Sequence, residues 1–184
     1  GADDNASGVA GALAVAEAFK ARAPLHDVWI VFLDGEESGL RGARAFVEAP
    51  PVPLATIALN VNFDMLSKSA KNEIYAAGGS TNAWVRARLE ALVPMSPVTL
   101  KLGHDTDAEG PQNNWTFQSD HGAFAKAGLP WVYFGVEDHP EYHKPTDDFA
   151  TIPQPFFRDA ITTVVAAARL FDDELDSMMT ETGR

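Results

Sequence analysis

The chain has 184 residues, 46% hydrophobic and 22% charged, which excludes disordered, collagen-like and coiled-coil classes and suits one domain (1–184) burying roughly 70% of its unfolded surface. A net charge of -12 disfavours nucleic acid and anionic membranes as partners, although solubility alone also accounts for it. With no cysteine, disulfides, thiolate metal sites and Cys nucleophiles are excluded, so any metal must be held by His, Asp and Glu.

In chain order, the Ala-rich stretch Gly8 to Phe19 reads as a tightly packed helix beginning after Asn5-Ala6-Ser7. Val28 to Leu33 is a continuous apolar run, β-branched and aromatic, which predicts a central strand covered on both faces. Gly39 to Glu48 predicts a short helix stopped by Pro50-Pro51-Val52-Pro53. Thr56 to Phe63 is a strand ending at Asp64, Glu73 to Ala77 a short strand, and Asn82 to Val93 a helix with Trp84, Val85, Leu89 and Leu92 on its apolar face. A strand over Val98 to Leu102 precedes the polar loop Gly103 to Asn114, whose length suggests a functional rather than a filling role. Ser119 to Ala127 is a short helix, Trp131 to Phe134 a strand, and Phe156 to Leu175 a long closing helix.

Strands alternating with helices predict an α/β fold, a three-layer α/β/α sandwich on a mixed, mostly parallel sheet. Ligand sites in such folds gather outside the carboxyl ends of the strands. Carboxylates stand at two of those ends, in Asp34-Gly35-Glu36-Glu37 after Leu33 and at Asp64 after Phe63. The doublet is hard to explain structurally, because neither ionised carboxylate is buried cheaply without a cation or donors. It reads as a metal site, one Glu binding an ion and the other acting as base toward the water that the ion activates. Asp3-Asp4-Asn5-Ala6-Ser7-Gly8 and Tyr142-His143-Lys144-Pro145 add further potential ligands. Each also has a structural reading: Asp4 as a helix cap, Asp64 as a turn residue, His143 as a surface histidine, Tyr142 as a packing aromatic. Asp105-Thr106-Asp107 opens like a calcium loop, but Thr116 stands where that loop needs a bidentate Glu. His139 and His104 are expected near the cleft, and His26 in an ordinary loop. The scattered Trp and Phe residues are expected in the core.

The order and wording of these segments resemble the M28 family of zinc aminopeptidases. The matching segments are Gly1-Ala2-Asp3-Asp4-Asn5-Ala6-Ser7-Gly8, Asp34-Gly35-Glu36-Glu37-Ser38-Gly39-Leu40-Arg41-Gly42, Asn62-Phe63-Asp64-Met65, Ser119-Asp120-His121 and Tyr142-His143-Lys144-Pro145-Thr146-Asp147. The resemblance implies a zinc exopeptidase-like fold and two zinc ions bridged by Asp4, one also bound by Glu37 and His143, the other by Asp64 and an upstream histidine. It further implies Glu36 as the general base, Tyr142 as an oxyanion donor, Asp120 and His121 as supports behind the ligands, and a peptide as substrate.

Nothing precedes Gly1 in this sequence, and the upstream histidine of the family is absent from it. The expectation is therefore a truncated catalytic domain lacking N-terminal elements, a loss that would impair activity. It should hold one zinc through Asp4, Glu37 and His143, hold a second weakly or not at all, and self-associate through sheet edges that truncation exposes. Two other readings remain open: a glutaminyl-cyclase-like acyltransferase using one zinc, and a non-catalytic binding or assembly fragment. No apolar run approaches the ~20 residues of a membrane span, and many family members work outside the cytoplasm, so the parent protein is expected to be extracytoplasmic.

Overall fold

A computed structural model describes residues 1–182. Four strands form one mixed sheet: β1 (Asn60–Phe63), β2 (Glu73–Ala77), β3 (Thr99–Leu102) and β4 (Trp131–Gly135), in the order β1-β4-β2-β3. β1 runs parallel to β4 and β2 parallel to β3, while β2 and β4 pair antiparallel. Five helices cover its faces: α1 (Gly8–Ala21), α2 (Arg41–Glu48), α3 (Ala83–Leu92), α4 (His121–Lys126) and α5 (Gln154–Thr182).

β4 shows how the layers form. All five of its residues are buried, and because successive side chains point to opposite faces, the strand builds two cores at once. Val132 and Phe134 join Ile74, Leu100 and the inner faces of α3 and α5. Trp131 and Tyr133 point the other way, to Trp115 and Ala125 of the α4 side. α2 and α4 close that side through Ala43, Ala123 and Phe124.

One predicted strand is absent. Val28 to Leu33 pairs with no neighbour among the described residues, and Val28, Trp29, Val31 and Phe32 are between 40% and 54% exposed. Apolar, β-branched composition favours a pleated half-buried surface only where a neighbouring strand supplies the ladder, and here the sheet ends at β1. The segment is instead held at its start, where Asp172 of α5 accepts the backbone N–H groups of Leu25 (2.9 Å) and His26 (3.0 Å) and faces Nδ1 of His26 at 3.1 Å. His26 is thus a strap between this segment and α5, not an ordinary loop residue. The calcium-like segment is structural too, with Asp105 Oδ2 accepting the amides of Gly78 (2.8 Å) and Ser80 (2.9 Å).

The small residues of α1 let it approach β1 closely. A Cβ on Gly8 would lie 2.3 Å from the Phe63 carbonyl oxygen and 2.3 Å from Asn5 Oδ1. In an ordinary helix Gly→Ala stabilises by about 1 kcal/mol; here the clash reverses the sign. Gly8→Ala is expected to destabilise the protein by about 1–3 kcal/mol, seen as a lower urea midpoint at unchanged m-value.

Candidate metal centre and active site

The turn Ala2–Ser7 carries Asp4, and at Asp4 and Asn5 the backbone leaves helical geometry, with a cis peptide between them. Two sets of hydrogen bonds hold it. The Asn5 amide donates to the Phe63 carbonyl at 3.0 Å while its oxygen accepts the N–H groups of Gly8 (3.0 Å) and Met65 (3.2 Å), tying the turn to the end of β1. Asp147 accepts the N–H groups of Asp3 and Asp4 at 3.0 Å each and pairs with Lys68 at 2.8 Å. Asp147 and Lys68 are both buried. Burial alone would raise the Asp147 pKa, but Lys68 and the two amides outweigh it and hold the carboxyl well below the usual carboxylate range.

The network continues behind Asp4. Asp3, fully buried, accepts from the amide and hydroxyl of Ser67 at 2.7 and 2.8 Å. Its other oxygen lies 3.0 Å from His139 Nε2, whose Nδ1 faces Glu141 at 3.1 Å. His139 therefore backs the turn instead of opening into the cleft.

The Glu36-Glu37 turn lies between Gly35 (φ 65°) and Gly39 (φ 94°), left-handed positions that suit glycine. His143 itself adopts φ 55°, and Met65, directly after Asp64, φ 62°. Non-glycine residues in this region are uncommon and cost of order 1–3 kcal/mol where the surroundings impose it, a feature concentrated at functional sites.

Asp4, Glu37 and His143 converge, each offering one ligand atom within 4.8 Å of the others. His143 Nε2 lies 3.2 Å from Asp4 Oδ2 and 3.1 Å from Glu37 Oε1. Donor atoms about 2.0–2.2 Å from a tetrahedral ion stand roughly 3.3–3.6 Å apart, so one imidazole and two carboxylates are spaced to fit a borderline cation. They line a cleft of about 320 Å³ with Lys144, Pro145 and Asp147. The Tyr142 ring stacks on His143 at 3.7 Å.

Asp64 does not join that cluster. A relay fixes it from behind: the Asn62 amide donates to Ser119 Oγ at 2.9 Å, and the Ser119 hydroxyl donates to Asp64 Oδ2 at 2.6 Å. Asp64 Oδ1 is buried with no hydrogen-bond partner, so it is an acceptor free for a cation or a donor. His121 stacks on Trp131 and packs at a tilt against Tyr133, and its Nε2–H donates to the Trp115 carbonyl at 2.9 Å. Burial lowers its pKa to about 4, so the ring is neutral, and its free Nδ1 faces the Asn62 amide at 3.4 Å. Among the described contacts His121 touches no candidate ligand, and reaches Asp64 through Asn62 and Ser119.

The remaining carboxylates repel one another. Burial, then the charges of Glu37, Asp120 and Asp4, raise Glu36 to about 7. Burial raises Asp64 to about 7 against the opposing Ser119 bond, and raises Asp120 to about 6. Burial and Glu37 raise Asp4. Burial, followed by Asp138 and other carboxylates, pushes the Tyr142 phenol up to about 12.

The sequence model of peptidase family M28 matches residues 1–168. The chain belongs to this family. Its fold resembles BSAP, a zinc aminopeptidase from Bacillus subtilis, with TM-score 0.73 and 24% identity over 91% of this chain and 41% of that one. It resembles the aminopeptidase of Aneurinibacillus sp. strain AM-1 with TM-score 0.72 and 20% identity, covering 94% of this chain and 40% of that one. The LapA aminopeptidase of Legionella pneumophila gives 0.67 at 16% identity, over 94% of this chain and 46% of that one. This M28 chain therefore spans less than half the length of these solved structures. No curated protein matches it.

Lys68, Asp147 and Asn5 escaped the sequence reading as functional supports. Asp147 and Asn5 lie inside the M28-like segments, which was their only signal; Lys68 had none.

The raised carboxylates set a pH dependence. An acid whose folded pKa exceeds its unfolded value of about 4 holds its proton longer in the folded state, so the contribution to stability falls as pH rises through that interval. The interval runs from about 4 to about 7 for Glu36 and Asp64 and to about 6 for Asp120. Metal-free protein is expected to show a falling thermal midpoint between about pH 4 and 7, with a shallower fall in Asp64→Asn.

Proposed function

We propose that the chain carries the catalytic machinery of a zinc-dependent aminopeptidase, which hydrolyses the first peptide bond of a peptide. The observation that carries this reading is the convergence of Asp4, Glu37 and His143 with Glu36 beside them and outside the ligand cluster. Membership of peptidase family M28 supports the reaction class, and the likeness to zinc aminopeptidases supports the metal.

Asp4, Glu37 and His143 would hold the ion, and the unpartnered Asp64 Oδ1 offers a ligand to a second one close to Asp4. Zinc held there supplies Lewis acidity, which makes a water acidic near neutral pH and polarises the scissile carbonyl. Glu36 takes the proton of the attacking water at a carboxylate oxygen and delivers it to the leaving amine nitrogen. A pKa of about 7 before any cation is present means that the carboxyl both takes and returns a proton near neutrality, and a neighbouring cation lowers it toward the base form. Tyr142, neutral because its pKa is pushed up to about 12, donates its O–H to the developing oxyanion. The Asn62–Ser119–Asp64 relay and the Asp147–Lys68 pair hold the surrounding side chains in place.

Glu36→Gln is expected to lower kcat on leucine 4-nitroanilide by roughly 10²–10⁴ while zinc content, read by elemental analysis, is unchanged. Turnover at the parent rate would remove Glu36 from the role of base. The same assay with an N-terminal glutamine peptide should release glutamine, not pyroglutamate.

A further inference from the structure

Tyr142 belongs to two spaces. Its ring stacks on His143, and it also lines a second, narrow cavity of about 60 Å³ that includes Asp64 and Ser119. This cavity therefore adjoins the candidate centre directly. Its other walls are Trp115 and Tyr133, set edge to face at 5.6 Å. Trp115 is fixed from behind, because His104 stacks on it at 3.7 Å with the rings 2° from parallel. A preset aromatic wall binds without the cost of ordering itself.

The charge on this cavity is one-sided. Asp138 and Gln118 line it, and no lysine or arginine among the described residues does. Glu137, the neighbour of Asp138, lies 3.3 Å from His104, but Asp138 is exposed and has no ion pair or hydrogen bond among the described residues. Aromatic faces attract cations through their quadrupole, and an unpaired carboxylate adds an ionic partner. Because Tyr142 borders both places, a substrate whose first carbonyl meets an ion held by Asp4, Glu37 and His143 would bring its first side chain beside this opening.

We propose that the cavity receives the first side chain of the substrate and that Asp138 selects a cationic one, lysine or arginine. This rests on the aminopeptidase reading above. Cation–π attraction and a partly exposed ion pair together favour lysine over its uncharged analogue norleucine by about tenfold.

The test uses the zinc-loaded protein with the 4-nitroanilides of lysine, norleucine and leucine, and calorimetric titration with lysinamide and norleucinamide. The expected result is a kcat/KM about tenfold higher for lysine than for norleucine, a similar ratio of affinities for the two amides, and both ratios close to one in Asp138→Asn. Equal rates on lysine and norleucine overturn the selectivity while leaving the peptidase reading intact. A lysinamide preference that depends on Asp138 but comes without cleavage of any anilide upholds the pocket and removes the peptidase reading. An Asp138→Asn variant that slows lysine and norleucine substrates equally puts Asp138 on the α-amine and overturns the proposal.

Discussion

The buried pair of Asp147 and Lys68, 2.8 Å apart, is the contact on which the site depends. Asp4 sits on a turn whose backbone leaves regular geometry, and such a turn keeps its shape only if its amides are satisfied. Asp147 does this for Asp3 and Asp4 together, from a position 143 residues away in sequence from Asp4. Lys68 makes the arrangement tolerable by helping to hold the carboxylate ionised against the opposing effect of burial. A buried pair of this kind is weak evidence for stability, because both ions lose their hydration, but removing one partner strands the other. Its role is positional: it fixes where the Asp4 carboxylate points.

Around that fixed turn the protein crowds acids with little compensation. Glu36, Asp64 and Asp120 are all pushed up by burial, and Glu36 also by its neighbours. The arrangement costs stability above about pH 4 unless a cation joins it. Two carboxylates and an imidazole spaced for one ion, beside a partnerless Asp64 oxygen, are the structural form of that demand. The basic groups nearby are committed elsewhere: Lys68 to Asp147, and His139 between Asp3 and Glu141.

Much of the fold could be read from local pattern. β2 and the short helix α2, with its proline stop, fall where periodicity and turn residues put them, and the remaining helices and strands differ chiefly by a few residues at their ends. Local signals sufficed there because each element buries its own face against an element also present. Val28 to Leu33 shows the limit. Its composition is that of a buried strand, yet a strand exists only with a neighbour to pair with, and that is not encoded in the segment. His26 shows the same limit from the other side, since its partners Asp172 and Asp176 lie on a helix near the end of the chain.

By itself the sequence determined the chemical types available: no thiol, an acidic doublet flanked by glycines, a histidine after a tyrosine, and motif wording that belongs to peptidase family M28. Those are properties of residue identity and short spacing. The family wording also implied that Asp4, Glu37 and His143 share an ion; the tertiary structure decided that Asp64 stands apart from them, held by Asn62 and Ser119. It alone revealed Lys68 and Asp147 as the support of the turn, and brought Asp138 to an aromatic slot beside Tyr142. Convergence of this kind depends on loops following different strands and on buried charges finding partners at long sequence separation, and no local pattern along the chain records which loop faces which.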